Sequence, residues 1–171
     1  MKRILACWML SFLACITCGV AQAEKAPAAA AAAVTIGGEV AKPLRLDAEA
    51  LAKHARVAVE ANDHGKPGRW EGVRLIDLLR EAGVPTGDTL RGPALALYVR
   101  IDAADGYRAV YALAELDAGF RDGEVILADR RDGKPLDTKE GPFRIVAPGE
   151  KRPARWVRQV TAIDVLRAPA K

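Results

Sequence analysis

An α+β fold is what this sequence predicts: one domain with a mixed β-sheet and a few short helices. Three observations carry it. Short runs of alternating apolar and polar residues recur along the chain, clearest in Ala94–Ile101. Turn dipeptides punctuate them, Asp105-Gly106 and Asp132-Gly133 among them. Helical spacing with end signals is confined to a few short segments, and no internal repeat is visible.

Residues 1–23 read as a cleaved signal peptide. Lys2 and Arg3 are followed by the apolar stretch Ile4–Val20 and by the small-x-small triplet Ala21-Gln22-Ala23. A membrane anchor and a lipoprotein signal through Cys15 or Cys18 are the alternatives. The apolar run is short for a span, and the residues before each cysteine match a lipoprotein signal poorly. The expected location is therefore periplasmic or secreted, with no stable membrane span after cleavage. Residues 24–33 form an Ala/Pro-rich linker, and residues 34–171 form the domain, long enough for one core.

Val34–Ile36 predicts a strand ending at Gly37-Gly38, and Leu44–Leu46 a second. Asp47 is an N-cap for a helix over Ala48–Ala55. Val57–Ala61 alternates as a strand and runs into a polar loop, Asn62–Gly68, closed by Trp70. A helix follows over Leu75–Ala82, with Leu75, Leu78, Leu79 and Ala82 on its apolar face and Gly83 and Pro85 stopping it. After the Ala94–Ile101 strand and the Asp105-Gly106 turn, Tyr107–Leu113 is the returning strand. Tyr107 reads as a core residue with its hydroxyl bonded. Leu113–Phe120 predicts a short helix and Val125–Ala128 a central strand. Phe143–Val146 and Trp156–Val165 are two strands flanking a basic loop with Lys151, Arg152 and Arg155.

Composition excludes several chemistries. All three cysteines and the single serine lie at or before position 18, inside the leader. A processed chain has neither, so it has no disulfide, no thiol or serine nucleophile and no thiolate metal ligand. Lys2 and Arg3 also leave while no acid does, so the formal charge falls from +4 to +2. That is too mild to imply nucleic-acid binding.

Four motifs, in order, carry a resemblance: the DGY strand in Asp105–Leu116, the apolar strand into Gly133-Lys134-Pro135-Leu136, the Gly141-Pro142-Phe143-Arg144 strand ending at Pro148, and the basic segment with Trp156. Together they resemble the oxidoreductase molybdopterin-binding domain of the sulfite oxidase family, over roughly Val34–Leu166 and most strongly after Trp70. The resemblance implies that family's fold. It also implies that the end of the Val57–Ala61 strand is where members present a metal-ligating cysteine. Here Glu60, Ala61 and Asn62 occupy that place, and a hard or neutral side chain does not replace a soft thiolate. The longer N-terminal section that helps members hold the pterin is not matched either.

Two groups of residues are candidate cofactor- or ligand-binding sites. Arg144 with Lys151, Arg152 and Arg155 would form an anion loop, matching the loop that contacts the pterin phosphate in relatives. The guanidinium fork suits such a group. The competing reading is a solvated basic edge. Asn62 and His64 lie at the family's metal-ligand position, where His64 with Asp63 is also explained by a solvated turn. The chain has only His54 and His64 as imidazoles, too few for a stable transition-metal site, so no metal site and no catalytic residue are expected. The function expected is a non-catalytic, exported, molybdopterin-oxidoreductase-like protein. It would act as a small-ligand-binding or protein-interaction module, with a small anion or a periplasmic protein as partner. No cofactor is expected, with molybdopterin implied by resemblance alone. The alternative is a periplasmic molybdopterin-dependent oxidoreductase with an atypical or partner-completed site.

Overall fold

The structure, a computed structural model, describes residues 32–170. The expected signal peptide and most of the expected linker lie outside the described residues. The α+β class holds, but the strands divide between two sheets rather than one.

The first sheet contains β1 (Val34–Gly38), β2 (Leu44–Leu46), β5 (Leu97–Ala103), β6 (Arg108–Ala112) and β10 (Val160–Arg167), in the order β2-β1-β10-β5-β6. Only the β1–β10 pair is parallel, which makes this sheet mixed. The second is antiparallel: β3 (Arg56–Asp63), β4 (Lys66–Arg74) and β7 (Ile126–Arg131) in sequence. The short strands β8 (Lys134–Pro135) and β9 (Arg144–Val146) both pair with β7, which is the central strand the sequence predicts. One hydrophobic cluster takes residues from both sheets. Ile36, Val99, Ile101, Ile163 and Val165 come from the first, and Trp70, Ile126, Leu127 and Ile145 from the second.

Two helices complete the domain. In α1 (Ala48–Ala52) the Asp47 carboxylate accepts from the Ala50 N–H at 2.8 Å, as an N-cap should. The helix stops short of the predicted Ala55 because Arg56 already belongs to β3. In α2 (Leu75–Glu81) Leu75, Leu78 and Leu79 are buried as the spacing requires. Gly83 at φ 84° lets the Val84 N–H return to the Leu79 carbonyl at 3.0 Å.

Several local expectations need correction. The predicted loop Asn62–Gly68 is a tight hairpin: β3 and β4 pair to Asp63 and Lys66, with only His64 and Gly65 between, both at positive φ. Two successive left-handed residues give a turn that matches strand twist. Pro67 is tolerated within β4 because β7 pairs no further along this strand than Trp70, so no ladder needs its missing N–H. The Leu113–Phe120 helix is only a 3-10 turn, Leu113–Leu116, because the Asp117 carboxylate accepts from Gly87 and Gly119 N–H groups instead. The Trp156 strand begins only at Val160, since Gln159 at φ 48° redirects the chain. Leu95 lies in a 3-10 turn and is exposed rather than inward-facing. Tyr107 is 50% exposed and is not a core residue, although its hydroxyl is bonded.

Candidate functional site

The β3–β4 hairpin tip and the loop after β9 face each other across a cleft. One part, about 280 Å³, is lined by His64, Asp105, Tyr107, Arg144, Trp156 and Arg158. A second part of about 520 Å³ shares His64, Pro153 and Ala154 with it and adds Asn62, Glu150, Lys151 and Arg152. Thus two segments far apart in sequence, Asn62–Gly65 and Pro148–Arg158, make one surface hollow.

Its floor is a buried ion cluster. Arg144 is 1% exposed, and its Nη2 donates to Asp63 Oδ2 at 2.8 Å. Alternation along β3 puts Asp63 on the inward face with Val57, Val59 and Ala61, which is why a carboxylate at the strand end is buried. Glu140 Oε2 lies 2.9 Å from Arg144 Nη1 but off the line of a hydrogen bond. Both those atoms, with Arg144 Nε and Asp63 Oδ1, therefore lack aligned partners among the described residues. The guanidinium is also held between indoles, 5.9 Å from the Trp70 ring centre and 5.6 Å from that of Trp156. The two rings meet edge-on at 5.7 Å. Burial pushes the Asp63 carboxyl up. The hydrogen bond and charge of Arg144, with Arg158 and His64 nearby, outweigh this and hold it below the usual carboxylate range.

The loop wall is fixed by two tyrosines. Tyr107 donates to the Ala154 carbonyl at 2.6 Å and Tyr111 to the Arg155 carbonyl at 2.8 Å. They anchor the 3-10 turn Pro153–Arg155 that follows Lys151 and Arg152.

The four basic candidates separate into different roles. Lys151 and Arg152 are exposed at the cleft and make no ion pair among the described residues. Arg155 instead donates to Glu150 at 2.8 Å and to Glu115 at 2.9 Å, and stacks 4.1 Å over the Tyr111 ring. It is a structural cross-link, with its charge matched twice over. Arg144 is neutralised by Asp63 and Glu140. Asn62 and His64 are both exposed at the cleft rim, and His64 Nε2 is 3.7 Å from Asp63 Oδ1. His54 is elsewhere, bonded to Ala50 O and Glu81 Oε2. Glu140 is the residue that sequence reasoning passed over, and Asp63, expected in a solvated turn with His64, is instead buried. The available signal was the two-residue turn at His64-Gly65, which extends β3 and sets Asp63 inward.

A more apolar hollow of about 350 Å³ lies between α1 and β7. Its main charged groups, Arg56 and Asp129, satisfy each other through two hydrogen bonds.

A model of the oxidoreductase molybdopterin binding domain matches residues 63–171. The chain belongs to this family. Within the family it is similar to the mitochondrial sulfite oxidase of Drosophila melanogaster, at 33% identity over 106 residues, covering 56% of this chain and 17% of that enzyme. The fold is similar to that of the sulfane dehydrogenase SoxCD from Paracoccus pantotrophus, with a TM-score of 0.61 and 23% identity, over 78% of this chain and 37% of that one. The chain therefore spans well under half the length of the relatives it matches. The oxidoreductase molybdopterin-binding domain family implies a pterin-bound metal, and the donors here do not fit a thiolate-held centre. The end of β3 presents Glu60, Ala61 and Asn62, and among the described residues no three His, Cys, Asp or Glu side chains are placed to hold a metal ion.

Proposed function

We propose that the chain is an exported, non-catalytic member of the molybdopterin-binding domain family that binds a small anion in the cleft between the β3–β4 hairpin and the 148–155 loop. One observation carries the reading: among the described residues, Lys151 and Arg152 are cations at the cleft that make no ion pair. The arginines around them, Arg144, Arg155 and Arg158, are paired with Asp63, Glu140, Glu115 and Glu150. Two cations without an ion pair among the described residues, on an anchored loop beside an imidazole and two backbone turns, suit a phosphate-type group. The absence of a soft donor at the end of β3 supports the non-catalytic half of the reading. The Lys2–Ala23 leader pattern supports export.

Pyrophosphate titration tests the binding half, read by tryptophan fluorescence, because Trp156 lines the cleft. The expected result is a saturable, salt-sensitive change that weakens roughly tenfold in Lys151→Ala/Arg152→Ala. No response, or one unchanged in the double variant, overturns it. Elemental analysis of chain purified from a cofactor-producing host tests the other half, with near-zero molybdenum expected. Near-stoichiometric molybdenum would replace this reading with an oxidoreductase whose site is atypical or completed by a partner.

A further inference from the structure

We propose that the chain pairs with a second copy of itself along β3, antiparallel and centred on Ala58. This is independent of the ligand reading. β3 ends the second sheet, pairing on one side only, with β4. It is eight residues long, whereas the other sheet ends β2 and β8 have three and two. The remaining edges are short or covered: β9 has three residues and its Ile145 N–H donates to the Val157 carbonyl at 2.8 Å, and β6 has its Val110 carbonyl covered by Arg155 Nη1 at 3.0 Å. Long uncovered edges are templates for another strand.

The direction of β3's free backbone groups follows from its neighbour. Arg69, opposite Glu60, uses its N–H and C=O on the far side, toward the Asp132 side chain and N–H at 2.9 and 2.7 Å. Glu60 and Arg69 are therefore a non-hydrogen-bonded pair, and the Glu60 N–H and C=O point away from β4. Alternation gives the same direction to Arg56, Ala58 and Asn62. None of these groups is bonded by another part of the described residues.

The sequence Arg56-Val57-Ala58-Val59-Glu60 is complementary to its own reverse. With Ala58 opposite Ala58 of the second copy, Arg56 faces Glu60 twice and Val57 faces Val59 twice. Both Arg56–Glu60 pairs fall at positions whose backbone groups point outward, so strand hydrogen bonds and charge pairs form in the same register. Centring on Glu60 would oppose two carboxylates, and centring on Val59 would set Arg56 against Asn62. Glu60 makes no ion pair among the described residues, while Arg56 holds Asp129 on its own sheet and can bridge to a second acid. The paired segment Arg56–Glu60 leaves the hairpin tip at His64 outside it.

Sedimentation of the full chain, as the cell leaves it, over a concentration series tests the pairing. A monomer–dimer equilibrium is expected. Glu60→Lys sets like charges opposite each other and weakens it roughly tenfold or more. Ala58→Pro abolishes it while leaving the monomer folded, because the lost N–H faces outward; an unchanged thermal melt checks this. With Cys7, Cys15 and Cys18 replaced by Ala, Ala58→Cys forms an oxidised dimer that the same chain with Ala58 does not. A chain that stays monomeric throughout overturns the proposal, and so does a dimer that neither Glu60→Lys nor Ala58→Pro weakens.

Discussion

Asp63 at the end of β3 and Arg144 at the start of β9 meet at 2.8 Å, both buried, between the rings of Trp70 and Trp156. Removing one partner leaves a buried charge alone. Asp63→Ala is expected to cost about 3–5 kcal/mol of unfolding free energy, measured by urea denaturation. Asp63→Asn, which keeps a hydrogen-bond acceptor, should cost less.

The same pair gives a pH dependence. The folded Asp63 carboxyl titrates below its ordinary value of 3.8, so the folded state holds fewer protons than the unfolded one in that range. Its contribution is complete above that value and is lost as pH falls through the lowered folded pKa. In Asp63→Asn the acid limb of a stability–pH curve should be shallower below pH 3.8, with no change in slope near neutrality.

Arg155 and Lys151 should separate stability from binding. Arg155→Ala unties Glu115 and Glu150 from one cation and uncovers Tyr111. Burial raises the Glu115 carboxyl while Arg155 and the Ala112 N–H lower it, so its pKa should rise in the variant. A stability loss of about 1–3 kcal/mol is expected. Lys151→Ala should leave the melting temperature unchanged and weaken pyrophosphate binding. Calorimetry of both variants checks the contrast.

Much of this architecture is legible in the residues. Leu97, Val99 and Ile101 alternate and are buried on cue, and the Leu75–Leu79 spacing, Gly83 and the Asp47 cap place both helices. The DGY and Gly-Pro-Phe-Arg motifs lead to the right family. Three features were hidden for physical reasons. Asp63 is buried by a turn two residues long, and polar composition around it reads as loop. Arg155 and Lys151 are chemically alike in sequence, and only the placement of Glu115, forty residues away, separates a cross-link from a free charge. Division into two sheets depends on long-range pairing that no local pattern encodes.

Tyr107→Phe deletes one hydrogen bond to the loop wall. Because the ring is half exposed, the stability cost should be about 0.5–1.5 kcal/mol. The loop's fixed position should suffer more. Pyrophosphate affinity is expected to fall further than it does in Val110→Ala, a nearby exposed control on β6. Equal effects in the two variants would remove the anchoring role.

His64 occupies a left-handed position, φ 51°, where Asn is better tolerated. His64→Asn is expected to stabilise the hairpin by about 0.5 kcal/mol. Thermal unfolding measures it, and the pyrophosphate titration of the same variant reports whether the imidazole contributes to the cleft.

The parallel pairing of β1 with β10 has a consequence for how the chain is made. Thr35 lies beside Ala162 and Gly38 beside Val165, so one neighbour of the first described strand is the last described strand. β5 also docks on β10 and not on β1. Until Val160–Arg167 has left the ribosome, β1–β2 and β5–β6 are two separate hairpins with no shared seam. The second sheet, whose β3–β4–β7 run is sequential, can assemble earlier. Maturation should then proceed in two stages, with a late zippering step that loss of Val160–Arg167 would prevent.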